Sequence, residues 1–254
     1  MIHPTAIVEP GAQLGAGCEI MAHAIVTRHC LLGERVVVHP FAVLGGDPQY
    51  LQFDPAGDGR VSVGAGTVIR EHVTVNRSIQ AGGVTVVGAA CFLMATSHVA
   101  HDCELAEQVV LANAVLLAGH VSVGARTFFG GGAAVHQFCR LGESVMVAGH
   151  ASITKDVPPF TMVAERDDLI GLNSVGLRRF GIARPAIAEL KATYQELYAA
   201  PGNLREIAAE LRAAKIGGVE EVGRFLAFFA EGKRSFARPR RSGVEPGTSS
   251  GGTP

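Results

Sequence analysis

The stretch VVLANAVLLAGHVSVGARTFFGGGAAVHQF, Val109 to Phe138, carries a large apolar residue at every sixth position: Leu111, Leu117, Val123, Phe129 and Val135. The same step runs back through Leu105, Val99, Leu93, Val87, Ala81, Val75 and Ile69 to Val63, and forward through Leu141 and Val147 to Ile153. One residue out of phase, an earlier run joins Ile2, Val8, Leu14, Ile20, Val26, Leu32, Val38 and Leu44. Only Ala81 is not a large apolar residue. Glycine often follows the large residue, as at Gly15, Gly33, Gly64, Gly88, Gly124 and Gly142. Four residues after it comes a small or β-branched one, as at Ala12, Cys18, Ala24, Cys30, Thr67, Cys91, Cys103, Thr127 and Ala151. A helix repeats every 3.6 residues and a simple strand every two, so neither accounts for six. A hexapeptide period is the signature of a parallel β-helix. Each hexapeptide supplies a short strand and a turn, and three make one triangular coil of 18 residues. The large residues should stack inside, and the glycines should relieve turns, where positive φ is cheap only for them.

The pattern resembles the left-handed parallel β-helix of the hexapeptide-repeat acyltransferases, and the hand is what that resemblance implies. In this register Cys18, Cys30, Cys91, Cys103 and Cys139 all take the small position, so they are expected to be reduced core residues. Two segments break the pattern. GGDPQYLQFDPAGDGRVS, over 45–62, carries two prolines and several glycines and reads as a loop leaving the coil. Around Ala81, over 76–86, the count is kept but the pattern weakens. The repeat stops after Val157-Pro158-Pro159-Phe160. Apolar residues then recur at helical spacing, for example in AIAELKATYQELY and VEEVGRFLAFFA, with breaks at Arg184-Pro185 and Pro201-Gly202. The expected organisation is an all-β coil over 1–160, an α-helical cap over 161–231 and a disordered tail over 232–254, rich in Gly, Ser, Pro and Arg.

Composition bounds the function. A net charge of −1 makes no electrostatic case for binding nucleic acid. Charged residues are 18%, against about a quarter in an ordinary globular domain, which suggests surface covered by another copy of the chain. The opening MIHPTAIVEP lacks the basic and apolar segments of a signal peptide. No window approaches the roughly 20 apolar residues of a membrane span. The expectation is a cytoplasmic protein with no membrane span.

None of the ten histidines takes a large or small position, so all should avoid the coil interior. Val99 and Cys103 face inward and send His98 and His101 outward. One coil of 18 beyond His101 lies Gly119, beside His120, and one further lies Gln137, beside His136. Adjacent strands are about 4.8 Å apart, so the cluster spans on the order of 10 Å of one corner. It has three readings. It is surface polarity; or His101, His120 and His136 hold a metal, as in the γ-class carbonic anhydrases; or one imidazole moves a proton. A metal needs its ligands within about 2.1 Å of one point, and a stack two coils deep on one chain is too tall for that. For proton transfer, His101 is followed by Asp102, a carboxylate able to orient it, and an imidazole titrates near neutrality. No cysteine lies outside the core pattern and no Gly-x-Ser-x-Gly occurs, so direct attack by a substrate hydroxyl fits better than a covalent enzyme intermediate. The backbone N–H of Gly119 would hold the oxyanion.

The stretches IREHVTVNR, HVAHDC, LAGHVSVG, AVHQF and DVPPF together resemble the UDP-N-acetylglucosamine O-acyltransferases over about residues 2–231. That resemblance implies a cytoplasmic homotrimer whose sites lie in clefts between neighbouring coils. It implies transfer of a 3-hydroxyacyl chain from acyl carrier protein to the 3-hydroxyl of the UDP-sugar, the first step of lipid A synthesis, with no metal or cofactor. Position by position, it makes His101 the general base, Asp102 its orienting partner and Gly119 the oxyanion donor. His98, His120, His136, Gln137 and Gln49 line the substrate site, Asn173 and Arg179 in GLNSVGLRR serve the nucleotide, and Gly149 leaves room for a longer acyl chain, which the neighbouring His150 could shorten. The chain also departs from the family. The first loop usually carries Gln-Asp with a lysine two residues on, and here it reads Gln49-Tyr50-Leu51-Gln52. A usual second arginine of the cap is Phe180, and the second loop is about one residue short. These departures keep a 3-amino UDP-sugar, acylated on nitrogen, as the alternative acceptor.

Overall fold

A computed structural model describes residues 1–215 and 218–240. Three sheets of eight, seven and ten strands form the sides of a triangular prism, and through Ser152–Ile153 every pairing is parallel and the chain visits the sheets in strict rotation. Most strands are two or three residues long, because each hexapeptide spends the rest of its length turning a corner. The register is the expected 18: His98 pairs with Leu116 and Leu116 with Ala134. Inside, Val99, Leu117 and Phe129 are wholly buried, and the small positions, all five cysteines among them, complete the same core. Burial pushes the thiols of Cys103 and Cys139 up to about 12, so they stay protonated.

The glycines beside the large residues do a different job from the one expected. A Cβ on Gly64 would lie 2.4 Å from the backbone nitrogen of Ala89, and one on Gly124 would lie 2.3 Å from that of Glu143. These positions are bare so that successive coils can close on one another. The left-handed turn residues come two places later and are mostly not glycine: Asp102 has φ 58° and His120 φ 60°. Such a backbone costs an L-residue roughly 1–2 kcal/mol, and it is held by the coil. The N–H of His120, for instance, donates to the carbonyl of His101 at 3.0 Å.

Both loops are insertions into an unbroken stack. Thr74 pairs with Val43, 31 residues back instead of 18, and with His98, 24 ahead. The first loop, 47–59, therefore adds 13 residues and the second, 77–83, adds six. Thirteen is two hexapeptides and one residue, which is the slip in the apolar count. Six is one hexapeptide, so the second insertion leaves the count intact.

Two strands precede the helices in the segment expected as a cap over 161–231. Strand Thr161–Ala164 continues the ten-stranded sheet beside Met146-Val147, and Asp168–Leu172 folds back antiparallel on it. Four helices follow: α1 Ser174–Arg179, α2 Arg184–Ala199, α3 Leu204–Ala214 and α4 Glu220–Ala227. Their apolar faces close a second core of Phe160, Leu177, Leu190, Leu204, Phe225 and Phe229. Tyr194 and Tyr198 pack against both cores.

The expected disorder from 232 does not hold for 232–240. Strand Arg238–Pro239 pairs with Asp168-Leu169, Ala237 is wholly buried, and the Phe236 ring packs 4.8 Å from that of Phe229. Buried Asp156 anchors this return: it accepts from Arg140 Nε at 2.9 Å, and its backbone bonds to those of Ser235 and Ala237. An apolar pair inside a Gly-, Ser- and Arg-rich stretch thus docks together with these backbone bonds. Residues 241–254 lie outside the described chain.

Candidate active site

The corner after strand His98–Val99 brings together His101, Asp102 and His120, whose side-chain donor atoms lie within 4.8 Å of one another. His101 Nδ1 is 2.8 Å from Asp102 Oδ2. Burial pushes the Asp102 carboxyl up, but hydrogen bonds from Ser78, His101 and the Ile79 N–H outweigh it, so the group lies below its ordinary value and is ionised at neutral pH. An ionised carboxylate only accepts, so Nδ1 carries the proton and Nε2 of neutral His101 presents its lone pair. No hydrogen bond among the described residues occupies Nε2.

One coil on, Gly119 sits under the ring. A Cβ there would lie 2.5 Å from His101 Cε1 and 2.7 Å from Nε2, so any side chain at 119 would push the imidazole out of this position. Gly119 is buried, and its N–H meets no acceptor among the described residues. A basic nitrogen therefore stands beside an unspent backbone donor, the two groups that addition of a hydroxyl to a carbonyl requires.

His120 meets His101 edge-on at 5.1 Å between ring centroids and stacks flat on Phe138 at 4.7 Å. Burial lowers its pKa, partly offset by Asp102, whose Oδ2 is 3.9 Å from His120 Nε2. His98 shares a hydrogen bond of 2.7 Å with Thr74 Oγ1, and burial, with His101 nearby, lowers its pKa as well. Both imidazoles are thus biased toward the neutral, hydrogen-bonding form.

His136 stands apart from this group. Its Nδ1 accepts from Arg234 Nη2 at 2.8 Å, a guanidinium brought in by the returning chain, and His136 is not among the side chains that converge on one point. The donors that do converge are His101, Asp102 and His120, and the first two are already bonded to each other. Gln137 is exposed beside His136.

The first loop reaches the corner through Tyr50, whose ring centroid is 6.2 Å from that of His101. At the position where the sequence departs from the expected carboxylate, this chain sets an aromatic ring near the imidazole. Tyr50 Oη donates to Gln52 Oε1 at 3.2 Å, and Gln49 is exposed. The loop is pinned from beneath by Arg77, only 1% exposed, which donates to Asp47 Oδ1 and to the carbonyls of Pro55 and Gly57 and lies over the Phe53 ring.

Further from the corner, Gly149 is exposed, with the nearest atom to a Cβ there being Gly131 O at 3.3 Å. The neighbouring His150 lies across Gly132, where a Cβ would fall 2.6 Å from its Nδ1. Asn173 caps α1: Oδ1 accepts from Gly176 N at 3.0 Å, and Nδ2 donates to Ser144 O at 3.0 Å. Its carboxamide already has structural work, whatever it offers a nucleotide. Arg179 is exposed, and Phe180 lies under the Arg126 guanidinium. Reading the sequence missed Arg77, Ser78, Thr74, Phe138 and Arg234. The pairing of Thr74 with His98 was available once the second loop is counted as an insertion, whereas Arg234 has no signal before the tail is docked.

The family model described as "Udp N-acetylglucosamine O-acyltransferase; Domain 2" matches residues 156–237. An acyl-[acyl-carrier-protein]–UDP-N-acetylglucosamine O-acyltransferase of Anaeromyxobacter sp. is 39% identical over 93% of this chain and 99% of its own. One from Rhizobium etli is 38% identical over 94% and 95%. The crystal structure of UDP-N-acetylglucosamine O-acyltransferase from Moraxella catarrhalis superposes with a TM-score of 0.86 at 30% identity, covering 93% of this chain and 99% of that one. A superposition preserves hand, so the coil is a left-handed β-helix as expected. With relatives this similar along nearly its whole length, the chain belongs to the family of acyl-[acyl-carrier-protein]–UDP-N-acetylglucosamine O-acyltransferases.

Proposed function

We propose that the protein moves a 3-hydroxyacyl chain from acyl carrier protein to the 3-hydroxyl of UDP-N-acetylglucosamine, the first step of lipid A biosynthesis. The observation that carries the mechanism is the bond between His101 Nδ1 and Asp102, 2.8 Å long, which leaves Nε2 basic above the unspent N–H of Gly119. His101 Nε2 takes the proton of the sugar hydroxyl as its oxygen adds to the thioester carbonyl. Asp102 stabilises the imidazolium, and the Gly119 N–H holds the oxyanion. Collapse of that intermediate breaks the carbon–sulfur bond, and His101 returns the proton to the departing thiolate. The products are the acyl ester and the free carrier thiol.

His98, His120, His136 and Gln137 line the cleft in this reading. Gln49 faces the sugar from the first loop, Asn173 and Arg179 serve the nucleotide from the cap, and Gly149 leaves space for the acyl end. The working form is a homotrimer in the cytoplasm, with the clefts between coils. Among the described residues no helix is long and apolar enough to cross a membrane. Tyr50 in place of a carboxylate is the observation that keeps a 3-amino sugar as second acceptor. The test gives the purified protein hydroxyacyl carrier proteins of several lengths with either sugar nucleotide and reads products by mass spectrometry. An ester on UDP-N-acetylglucosamine is expected. An amide formed only on the 3-amino sugar, or no acyl product at all, overturns the proposal.

A further inference from the structure

Ser78 lies in the second loop and is 1% exposed. Its Oγ accepts from Gln80 N at 2.9 Å, which turns its own hydrogen toward Asp102 Oδ1, to which it donates. The Ile79 N–H donates to the other oxygen, Oδ2, at 3.3 Å, and Asp102's own N–H is held by Thr85 Oγ1 at 2.8 Å. Both loops enclose the residue. A Cβ on Gly83 would lie 2.3 Å from Ser78 Oγ, and one on Gly59 would lie 2.0 Å from Ser78 O. Such enclosure leaves the hydroxyl no route to another partner apart from Gln80 O at 3.5 Å.

The restraint matters because Asp102 has two imidazoles to choose between. Oδ2 is 2.8 Å from His101 Nδ1 and 3.9 Å from His120 Nε2. A carboxylate free to rotate would divide itself between them, and each time it turned to His120 the proton on His101 would lose its reason to stay on Nδ1. We propose that Ser78 is a positioning residue of this enzyme: it clamps the far oxygen of Asp102, and so keeps His101 in the one tautomer whose Nε2 can accept a proton. The inference rests on His101 being the general base of the proposed reaction.

The test compares the full-length protein with Ser78→Ala, which removes the hydroxyl and little else, and with Ser78→Gly should the alanine variant fold poorly. Two readouts are taken: steady-state kinetics with a hydroxyacyl carrier protein and UDP-N-acetylglucosamine, and nitrogen-15 imidazole spectra of His101, assigned with His101→Gln. Losing the clamp forfeits part of the roughly 10²–10⁴-fold that a positioned general base supplies, so kcat should fall by about tenfold. KM for both substrates should stay within about twofold, and His101 should show both neutral tautomers where the parent shows one. Unchanged kcat, or a fall in kcat with the tautomer unchanged, overturns the proposal. If the parent transfers no acyl group to either sugar and Ser78→Ala still redistributes the tautomers, the clamp stands and the assigned reaction fails.

Discussion

The corner that carries His101 and the loop that carries Gln49 meet in space but are built on opposite plans. The corner is generated by the repeat. Val99 and Cys103 are wholly buried, so the residues between them turn outward at an angle that the next coil copies, and His101 lands on Gly119 because both occupy the same place in an 18-residue period. The loop is generated by one buried cation. Arg77 holds it through Asp47, Pro55 and Gly57, and no apolar core of its own supports it. The His101–Asp102 pair sits on the periodic scaffold, and in the proposed function the residues that meet the acceptor sit on the insertion. The loop can therefore vary, as it does at Tyr50 and Gln52, while the base is left in place.

The contrast predicts a hierarchy of damage. His101→Ala removes the base and leaves the coil intact, so kcat should fall at least about 10²-fold at unchanged melting temperature, read by carrier-thiol release. Arg77→Met removes the hydrogen bonds that tie the loop to Asp47, Pro55 and Gly57, each worth about 1 kcal/mol. Its amides over 47–59 should exchange faster with solvent, and KM for the sugar nucleotide should rise about tenfold, one decade for each 1.4 kcal/mol. Asn173→Ala removes the cap of α1 and its tie to Ser144. It should cost about 1 kcal/mol of stability by denaturant titration, and a raised nucleotide KM at unchanged stability would instead assign that carboxamide to the nucleotide. The mildest effect is on pH. His98 and His120 have folded-state pKa values below their ordinary value, so the unfolded chain takes up protons first. Their contribution is complete above about pH 6.5 and is lost as pH falls through the lowered values, so the melting temperature should drop on that side and the drop should shrink in His98→Gln.

Most of the corner was legible in the sequence because a period of six is a geometric instruction. It assigns Val99 and Leu117 inward, His101 outward, and Gly119 one coil along, before any coordinates are seen. What escaped was what the period cannot encode. The second loop adds one hexapeptide's worth of chain, six residues, so it passes for a weak rung at Ala81, and with it went Arg77 and Ser78, the residues that organise the first loop and Asp102. The glycines beside the large residues looked like turn formers, since a sequence shows their frequency and not that the next coil's backbone lies 2.4 Å from where a Cβ on Gly64 would stand. Residues 232–240 looked disordered by composition, yet Ala237 is buried, Asp156 bonds the backbone beside it, and Arg234 reaches His136.

The division of labour between corner and loop is tested most directly by the steady-state kinetics of Gln49→Ala beside His101→Ala, with saturating hydroxyacyl carrier protein and varied UDP-N-acetylglucosamine. The account predicts a raised sugar KM with kcat within about threefold for Gln49→Ala, as expected when binding common to ground and transition state is lost, and a collapse of kcat for His101→Ala. Equal collapse of kcat in both variants, or full kcat in His101→Ala, would contradict it.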